Sequence, residues 1–216
     1  GSGVKTEDFE YHLPPEQIAQ RPANPRDSSR LLVLDRRTQK IAHHVFHELP
    51  DILNKDDVLV FNDTRVLPAR LKARKIPTGG QVEILLLRHV QARTWEAIVV
   101  GRRVQPGLQL GITDSVQAEV LENLGRSRRL IRFSAEIITG LDELGEMPLP
   151  PYITEPLRSR DEYQTMFARE NGSAAAPTAG LHFTPALLDR LAVKGIQLAS
   201  VTLHVGLDTF APVPEE

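Results

Sequence analysis

Residues 66–133 contain five short runs of β-branched and apolar residues, and turn-forming residues separate each run from the next. The runs cover residues 66–71, 81–88, 94–100, 116–121 and 130–133. Within the third run, Trp95, Ala97 and Val99 fall on one face of the predicted strand because side chains alternate along β-structure. Five short strands with close turns predict a small barrel or a strongly curved sheet.

The sequence on either side of these runs is typical of mixed α/β structure. Residues 31–34 and 58–61 are predicted to form buried strands, and residues 161–168 a helix with an acidic start. A second helix is predicted to begin after Thr184, a good N-cap, and to end at Gly195, with a strand directly after it.

Together these patterns predict the α/β fold class, with a split mixed α/β domain and an inserted small β-barrel domain. Residues 1–64 and 146–216 are predicted to form the two parts of the α/β domain. Residues 65–145 are predicted to form the inserted barrel.

The predicted insert is basic although the whole chain is not. Residues 65–132 contain 13 Lys and Arg against 5 Asp and Glu, a balance of +8, whereas the whole chain has a net charge of −2. A basic segment between acidic ones is a candidate surface for a polyanion such as a nucleic acid. The alternative is an ordinary solvated face of a β-domain.

The composition excludes several classes of function. The chain contains no cysteine, so a disulfide framework, a thiolate zinc site, an iron–sulfur cluster and a cysteine nucleophile are excluded. No run approaches the roughly 20 apolar residues that span a bilayer. The first residues also lack the basic-then-apolar pattern of a signal peptide, and we therefore expect a cytoplasmic protein without a membrane partner.

A polar turn, Asn62-Asp63-Thr64-Arg65, follows the second predicted strand directly. Ligands of open α/β sheets bind near the carboxyl ends of strands, which makes this turn a candidate site. Alternatively, these polar residues form side-chain-to-backbone hydrogen bonds within the turn. Arg65 lies at the junction with the basic segment, where its planar guanidinium could bind a carboxylate or a phosphate.

A stretch of small residues from 172 to 184 leads into the second predicted helix. Its centre is Pro177-Thr178-Ala179-Gly180, and small residues let a backbone approach a ligand closely. The stretch matches neither the phosphate loop of nucleoside triphosphatases nor the dinucleotide fingerprint, so a carboxylate or a ribose hydroxyl is as credible a ligand as a phosphate. The alternative is a tightly packed turn without a ligand.

Two histidines with apolar neighbours, His182 and His204, are candidates for a general base near neutral pH. The alternative for each is a histidine that only packs in the core. His43, His44 and His47 could be drawn as a metal cluster, but no carboxylate completes a recognisable ligand set near them. We predict surface histidines there and no bound metal.

Several longer stretches occur together and in a fixed order. They cover residues 11–14, 18–20, 26–31, 62–71, 145–153, 163–165, 176–183 and 201–206. In this combination the chain resembles the bacterial S-adenosylmethionine:tRNA ribosyltransferase-isomerases of queuosine biosynthesis. The matching stretches are spread over essentially the whole chain, which makes the resemblance far more specific than any single short motif.

The resemblance implies an enzyme that transfers and isomerises the ribosyl part of S-adenosylmethionine. The acceptor is 7-aminomethyl-7-deazaguanine at the wobble position of certain tRNAs, and the products are epoxyqueuosine-tRNA, adenine and methionine. S-adenosylmethionine is then a ribosyl-donor substrate, and no metal or redox cofactor is implied. The implied fold is similar to the split α/β domain with a barrel insert.

The resemblance also locates the candidate site residues. The turn at 62–65 and the loop at 176–182 are expected to form walls of one shared pocket, with Arg65 as an anion anchor and either His182 or His204 as the base. The candidate S-adenosylmethionine contacts are Asn62, Asp63, Thr64, Pro177, Thr178, Ala179 and Gly180.

The basic insert is expected to contact the tRNA backbone without reading its sequence. The candidate contacts are Arg70, Lys72, Arg74, Lys75, Arg102 and Arg103. We expect a monomer, and because family members ordinarily continue beyond Glu216, we expect that the C-terminal part is lacking. Three alternatives stay open: a non-catalytic tRNA-binding module, an inactive fragment of the enzyme, and an unrelated enzyme that acts on a small nucleoside.

Overall fold

An antiparallel hairpin is the first regular β-structure of the fold. The computed structural model describes residues 3–210, apart from the side chains of residues 207 and 208. Strand β1 (Arg30–Asp35) pairs with strand β2 (Lys40–Val45). Short 3-10 helices precede the hairpin at Thr6–Phe9, Pro15–Gln17 and Arg26–Ser28, and the 3-10 helix Phe46–Glu48 and helix α1 (Leu49–Ile52) follow it.

Two further strands, β3 (Val58–Asn62) and β4 (Thr64–Val66), lead into a closed antiparallel barrel. The barrel strands are β5 (Arg70–Ile76), β6 (Gln81–Gln91), β7 (Thr94–Val100), β8 (Gln109–Gly111), β9 (Gln117–Gly125) and β10 (Arg128–Phe133). Around the barrel the order is β10, β7, β6, β5, β8 and β9, and β9 pairs again with β10. Side chains such as Leu71, Ile84 and Ile131 fill the interior and are fully buried.

The chain then returns from the barrel to the α/β part. The elements of this return are a 3-10 helix at Ile138–Gly140, α2 (Leu141–Leu144), a 3-10 helix at Arg160–Tyr163, β11 (Glu170–Ser173), a 3-10 helix at Thr178–His182, α3 (Pro185–Lys194), β12 (Gln197–Val201) and a 3-10 helix at Leu207–Phe210.

Two parallel strand pairs join the halves of the α/β part across the barrel insertion. Strand β3 pairs with β12, and β4 pairs with β11. Each pair takes one strand from before the barrel and one from after it. The predicted fold class, a split mixed α/β domain with an inserted barrel, is therefore confirmed, whereas the exact boundaries at residues 64 and 145 stay predictions.

The second predicted helix is confirmed as α3. The Thr184 hydroxyl accepts a hydrogen bond from Leu187 N (3.2 Å), and Gly195 ends the helix in the left-handed conformation at φ 90°. The inner face of the helix buries Leu187 and Leu191 in an aromatic-rich core. That core also contains Phe46, Phe167, Phe183 and Ile196.

Two predicted elements differ from the structure. The predicted strand at 66–71 is interrupted between β4 and β5, where Pro68 has no N–H to donate to a strand ladder. The predicted helix at 161–168 is only a 3-10 turn, because the backbone of Gln164 is extended and its side-chain amide pairs with Val66. A contact with a distant strand thus overrides the local helical pattern.

The strands predicted to be buried are buried on one face only. Leu32 in β1 is 57% exposed and Val60 in β3 is also 57% exposed, while Leu59 and Phe61 pack against the core around α3. Within residues 3–210, none of the helices has the length and apolar character that crossing a membrane requires.

Candidate active site

A buried chain of hydroxyl groups links β4, β11 and the segment after β12. Thr64 Oγ1 lies 2.6 Å from Ser173 Oγ and 2.8 Å from His204 Nδ1. Thr64 and Ser173 are 0% and 1% exposed, whereas His204 is exposed. The parallel β4–β11 pair places the two hydroxyls together, and the pairing of β3 with β12 brings His204 to the same place.

Asn62 and Asp63 hold this arrangement through contacts with the segment after β12. Asn62 Oδ1 accepts hydrogen bonds from Thr64 N (3.1 Å) and Leu203 N (3.0 Å), and Asn62 Nδ2 donates to Leu203 O (2.7 Å). The buried Asp63 accepts a 2.6 Å hydrogen bond from the Thr202 hydroxyl. These contacts match the structural alternative for the turn, and ligand binding by either residue stays a prediction.

Arg65 lies on the exposed side of β4. Its guanidinium donates to Ala168 O (3.0 Å), and no carboxylate among the described side chains lies within salt-bridge distance of it. The guanidinium has further donors besides this one, and binding of an anion by Arg65 stays a prediction.

The alanine-rich loop after β11 connects the hydroxyl chain to a second feature, a cleft. Ala174 N and Ala175 N both donate to Val205 O, at 2.9 and 3.2 Å, next to His204. Ala176 N donates to the Tyr163 hydroxyl at 3.1 Å. Three consecutive backbone N–H groups thus tie the loop to the His204 segment on one side and to Tyr163, a wall of the cleft, on the other.

The cleft has a volume of about 280 Å³ and is largely apolar. Tyr163 is one of the residues that line it. Burial of this side chain raises the pKa of its hydroxyl, while the hydrogen bond from Ala176 N opposes the shift. The lining residues come from three segments of the chain: Ala19, Gln20, Arg21, Pro22, Ala23, Arg26 and Ser29; then Leu149, Pro150, Tyr152, Ile153, Leu157, Glu162 and Tyr163; and finally Thr178, Leu181 and His182.

Of the two arginines in the cleft, Arg21 forms an ion pair with Glu162, whereas Arg26 donates only to the backbone carbonyls of Asp161 and Gln164. Arg21 Nη1 lies 3.0 Å from Glu162 Oε2, and Arg26 Nη1 donates to Gln164 O (2.7 Å). By contrast, the side chains of Thr178 and His182 make no hydrogen bond to other residues in the described part of the chain. A free hydroxyl and a free imidazole between apolar walls suit a neutral polar ring.

The two predicted walls do not line one cleft. Thr178 and His182 line it, whereas, among the described residues, Asn62, Asp63, Thr64 and Arg65 are absent from its walls. Pro177, Ala179 and Gly180 form the adjacent backbone, and His204 belongs to the hydroxyl chain.

His182 and His44 each lie next to a side chain of the protein. The ring of His182 lies 5.2 Å from the ring of Phe46, in a tilted arrangement, and is half-buried. His44 Nδ1 lies 3.7 Å from Glu48 Oε1. Among the described side chains, no three of the His, Asp or Glu type come together as a possible metal site.

The six predicted tRNA contacts divide into two groups on the barrel. Arg70 Nε lies 3.4 Å from Glu83 Oε1, and Lys72 Nζ lies 3.2 Å from Glu146 Oε1. Within residues 3–210, the other four, Arg74, Lys75, Arg102 and Arg103, have no carboxylate within 4 Å, although Lys75 donates to Arg102 O and Arg74 to Gly79 O.

The sequence analysis did not single out three residues of the site. Ser173 was treated only as part of a small-residue stretch, yet it is the centre of the hydroxyl chain. Tyr163 lies in a matching stretch of the resemblance, which was a usable signal. Tyr152, in a wall of the cleft, lies in another matching stretch, residues 145–153, which was the same kind of signal.

The sequence matches a family of known proteins. The family model described as "Queuosine biosynthesis protein" matches residues 6–216. A relative from Desulfitobacterium hafniense is 51% identical over 99% of this chain and 64% of its own length, and one from Dehalococcoides mccartyi strain CBDB1 is 52% identical over 99% and 63%. Both are named S-adenosylmethionine:tRNA ribosyltransferase-isomerase.

A solved structure is also similar in sequence. The crystal structure of S-adenosylmethionine tRNA ribosyltransferase from Thermotoga maritima is 37% identical, with a TM-score of 0.39, over 93% of this chain and 59% of that one. The chain spans a little under two thirds of the length of the curated relatives it matches. Because the family model covers nearly the whole sequence, this chain belongs to the queuosine biosynthesis protein family.

Proposed function

We propose that this chain takes part in the S-adenosylmethionine-dependent ribosyl transfer and isomerisation on tRNA. The acceptor is 7-aminomethyl-7-deazaguanine at the wobble position, and the products are epoxyqueuosine-tRNA, adenine and methionine. The names of the relatives support this reaction. The structural observation that supports it most is the direct connection, through the 174–176 loop, between the His204 hydroxyl chain and the cleft that Thr178 and His182 line.

The cleft is proposed to bind the adenosyl end of S-adenosylmethionine. Aromatic and aliphatic walls with a few uncharged hydrogen-bonding groups suit a nucleobase. Arg21 forms an ion pair with Glu162 and both terminal nitrogens of Arg26 donate to backbone carbonyls, which leaves these two arginines fewer free donors for the carboxylate of the methionine end than Arg65 has. Arg65, with free donors on the exposed side of β4, is proposed to hold that carboxylate or a tRNA phosphate.

The reaction needs a base that removes a proton beside the positively charged sulfur and a site that excludes water. His182 and His204 are the candidate bases, because each belongs to one of the two connected features. Asn62, Asp63 and Thr64 are proposed to contact S-adenosylmethionine at the strand ends, in addition to making the hydrogen bonds described above. No metal or redox cofactor has a role in the proposal.

The barrel is proposed to bind the backbone of the tRNA through its cations. A closed barrel with a basic surface offers fixed positions for contacts with phosphates. The proposed contacts are Arg70, Lys72, Arg74, Lys75, Arg102 and Arg103. We propose that the protein acts as a monomer and in the cytoplasm, where tRNA is found.

Adenine formation tests the proposal. The chain is mixed with S-adenosylmethionine and tRNA that carries the deazaguanine base, and adenine is measured by chromatography. We expect adenine only when both substrates are present. Binding of the tRNA without adenine release would favour a non-catalytic module, and adenine release without tRNA would favour an enzyme that acts on a small nucleoside.

A further inference from the structure

We infer that the neutral imidazole of His204 carries its proton on Nε2, so that it offers a hydrogen-bond donor to the substrate and does not act as the base. Ser173 and Thr64 are the positioning residues that impose this tautomer. The starting observation is that two buried hydroxyls lie between a backbone N–H and the His204 ring.

The direction of the hydrogen bonds follows from counting hydrogens. Ser173 Oγ accepts a hydrogen bond from Val205 N at 2.8 Å. Among the side chains and backbone groups that the structure describes, the hydrogen of the Ser173 hydroxyl then has a single acceptor, Thr64 Oγ1, at 2.6 Å. Because Thr64 accepts from Ser173, its own hydrogen is free for His204 Nδ1 at 2.8 Å.

The opposite direction leaves a buried donor without a partner. If His204 Nδ1 carried the proton, Thr64 would accept from it and donate to Ser173. The hydroxyl hydrogen of Ser173, a residue only 1% exposed, would then lack an acceptor within the described residues. Unpartnered buried donors of this kind are rare because they are costly.

The consequence for the site is a fixed N–H donor on an exposed ring. With Nδ1 occupied as an acceptor, Nε2 carries the hydrogen. A neutral imidazole in this tautomer can stabilise negative charge that develops in a transition state. When the bond between ribose and adenine breaks, the bonding electron pair moves to the adenine nitrogen, and that developing charge is the proposed partner of Nε2–H.

This use of His204 rests on the proposed function, whereas the tautomer rests on the hydrogen bonds alone. It also separates the two candidate bases. His182, whose ring nitrogens have no partner among the described residues, is then left as the candidate that removes a proton.

Nitrogen-15 spectra of the histidine rings at alkaline pH, where imidazoles are neutral, test the tautomer directly. The His204 signals are assigned by their loss in His204→Gln. We expect Nδ1 to resonate as an unprotonated nitrogen and Nε2 as a protonated one, and Thr64→Ser to preserve this pattern. A protonated Nδ1, or averaged signals that indicate both tautomers, would overturn the inference.

Removal of the hydroxyls tests their positioning role. Thr64→Val removes the donor to Nδ1, and Ser173→Ala leaves Thr64 free to accept from Nδ1, so each variant is expected to give a mixture of tautomers. The second variant keeps the test usable if the first does not fold. An unchanged tautomer in the folded variants would overturn the role of the hydroxyl chain.

Kinetics test the donor role separately. Glutamine keeps an N–H donor but cannot act as a base, so His204→Gln is expected to release adenine about tenfold faster than His204→Ala, which should lose on the order of 100-fold. Equal losses in the two variants would contradict the donor role. If the unmodified chain releases no adenine, the proposed function fails, while the result of the nitrogen-15 spectra still stands.

Discussion

The imidazole of His204 lies directly against the backbone of Gly172, which leaves no room for a side chain there. A Cβ built at residue 172 would lie 2.7 Å from His204 Cε1 and 2.8 Å from both ring nitrogens. Gly172 also has a φ of 150°, a conformation that residues with a side chain rarely adopt. The position of the imidazole therefore depends on a glycine at the end of β11, 32 residues before it.

The first prediction concerns this contact. Gly172→Ala should displace the His204 ring from Thr64 and lower the rate of adenine release by at least about tenfold, as expected when a catalytic group moves by about 1 Å. Gly206→Ala is the matched control, because a Cβ there meets nothing within 4 Å among the described residues. Equal rates for the two variants would show that the position of the His204 ring does not matter.

A second prediction concerns the pH dependence of stability through Tyr163. Tyr163→Phe leaves Ala176 N without its acceptor and should lower the free energy of unfolding by about 1–3 kcal/mol at neutral pH. The folded pKa of Tyr163 is raised by burial, so this stabilisation is fully present below the unfolded tyrosine pKa of about 10 and declines as the pH rises above it.

Urea unfolding at about pH 8 and about pH 11 measures this difference. The gap in unfolding free energy between the unmodified chain and Tyr163→Phe should be smaller at the higher pH. Tyr11→Phe is the control, because Tyr11 is 77% exposed, and it should change stability little at either pH. A gap that widens with pH would contradict the burial of a neutral Tyr163.

A third prediction separates direct tRNA contacts from net charge. The double variant Arg102→Gln, Arg103→Gln and the double variant Arg70→Gln, Lys72→Gln lose the same charge. Arg70 and Lys72 are held by Glu83 and Glu146, so the first variant should lose more affinity. It should also lower the slope of log affinity against log salt by up to about 2, since each duplex phosphate contact contributes about 0.9.

Filter binding of the tRNA over a series of salt concentrations measures both quantities. Identical slopes for the two double variants would mean that only the net charge of the barrel acts on the tRNA. Arg102 and Arg103 would then be removed from the set of direct contacts.

A fourth prediction concerns the contact that joins the α/β halves. Gln164 Oε1 accepts from Val66 N (3.0 Å) and Gln164 Nε2 donates to Val66 O (3.1 Å), so the side chain replaces a strand partner for β4. Gln164→Ala should lower the free energy of unfolding by about 1–3 kcal/mol, because both backbone groups lose a partner. Gln105→Ala, at an exposed position, should change it by less than about 0.5 kcal/mol.

The barrel and α3 could be predicted from sequence because local patterns determine them. Strand β7 matches its predicted bounds, since alternation buries Trp95, Ala97 and Val99 on one face. The N-cap Thr184 and the left-handed Gly195 set both ends of α3. Strand β8 was missed because three residues are too few to show alternation.

The geometry of the site could be predicted only in part, because distant pairings create it. The sequence marked Thr64 and His204 as separate candidates, but their contact spans 140 positions and depends on two parallel strand pairs. The cleft combines segments near residues 20, 150 and 180, and no local pattern in the sequence reports such a meeting. Secondary structure is affected in the same way, because a contact with the distant Val66 keeps Gln164 extended where the local pattern predicts a helix.

The most direct test of a shared S-adenosylmethionine site is an amide chemical-shift map of the nitrogen-15-labelled chain during titration with S-adenosylmethionine. The account predicts saturable shifts in residues 172–182 and 204–206, because the 174–176 loop connects the His204 segment to the cleft wall. Saturable shifts confined to the barrel at residues 70–133, with residues 172–182 and 204–206 unchanged, would contradict it.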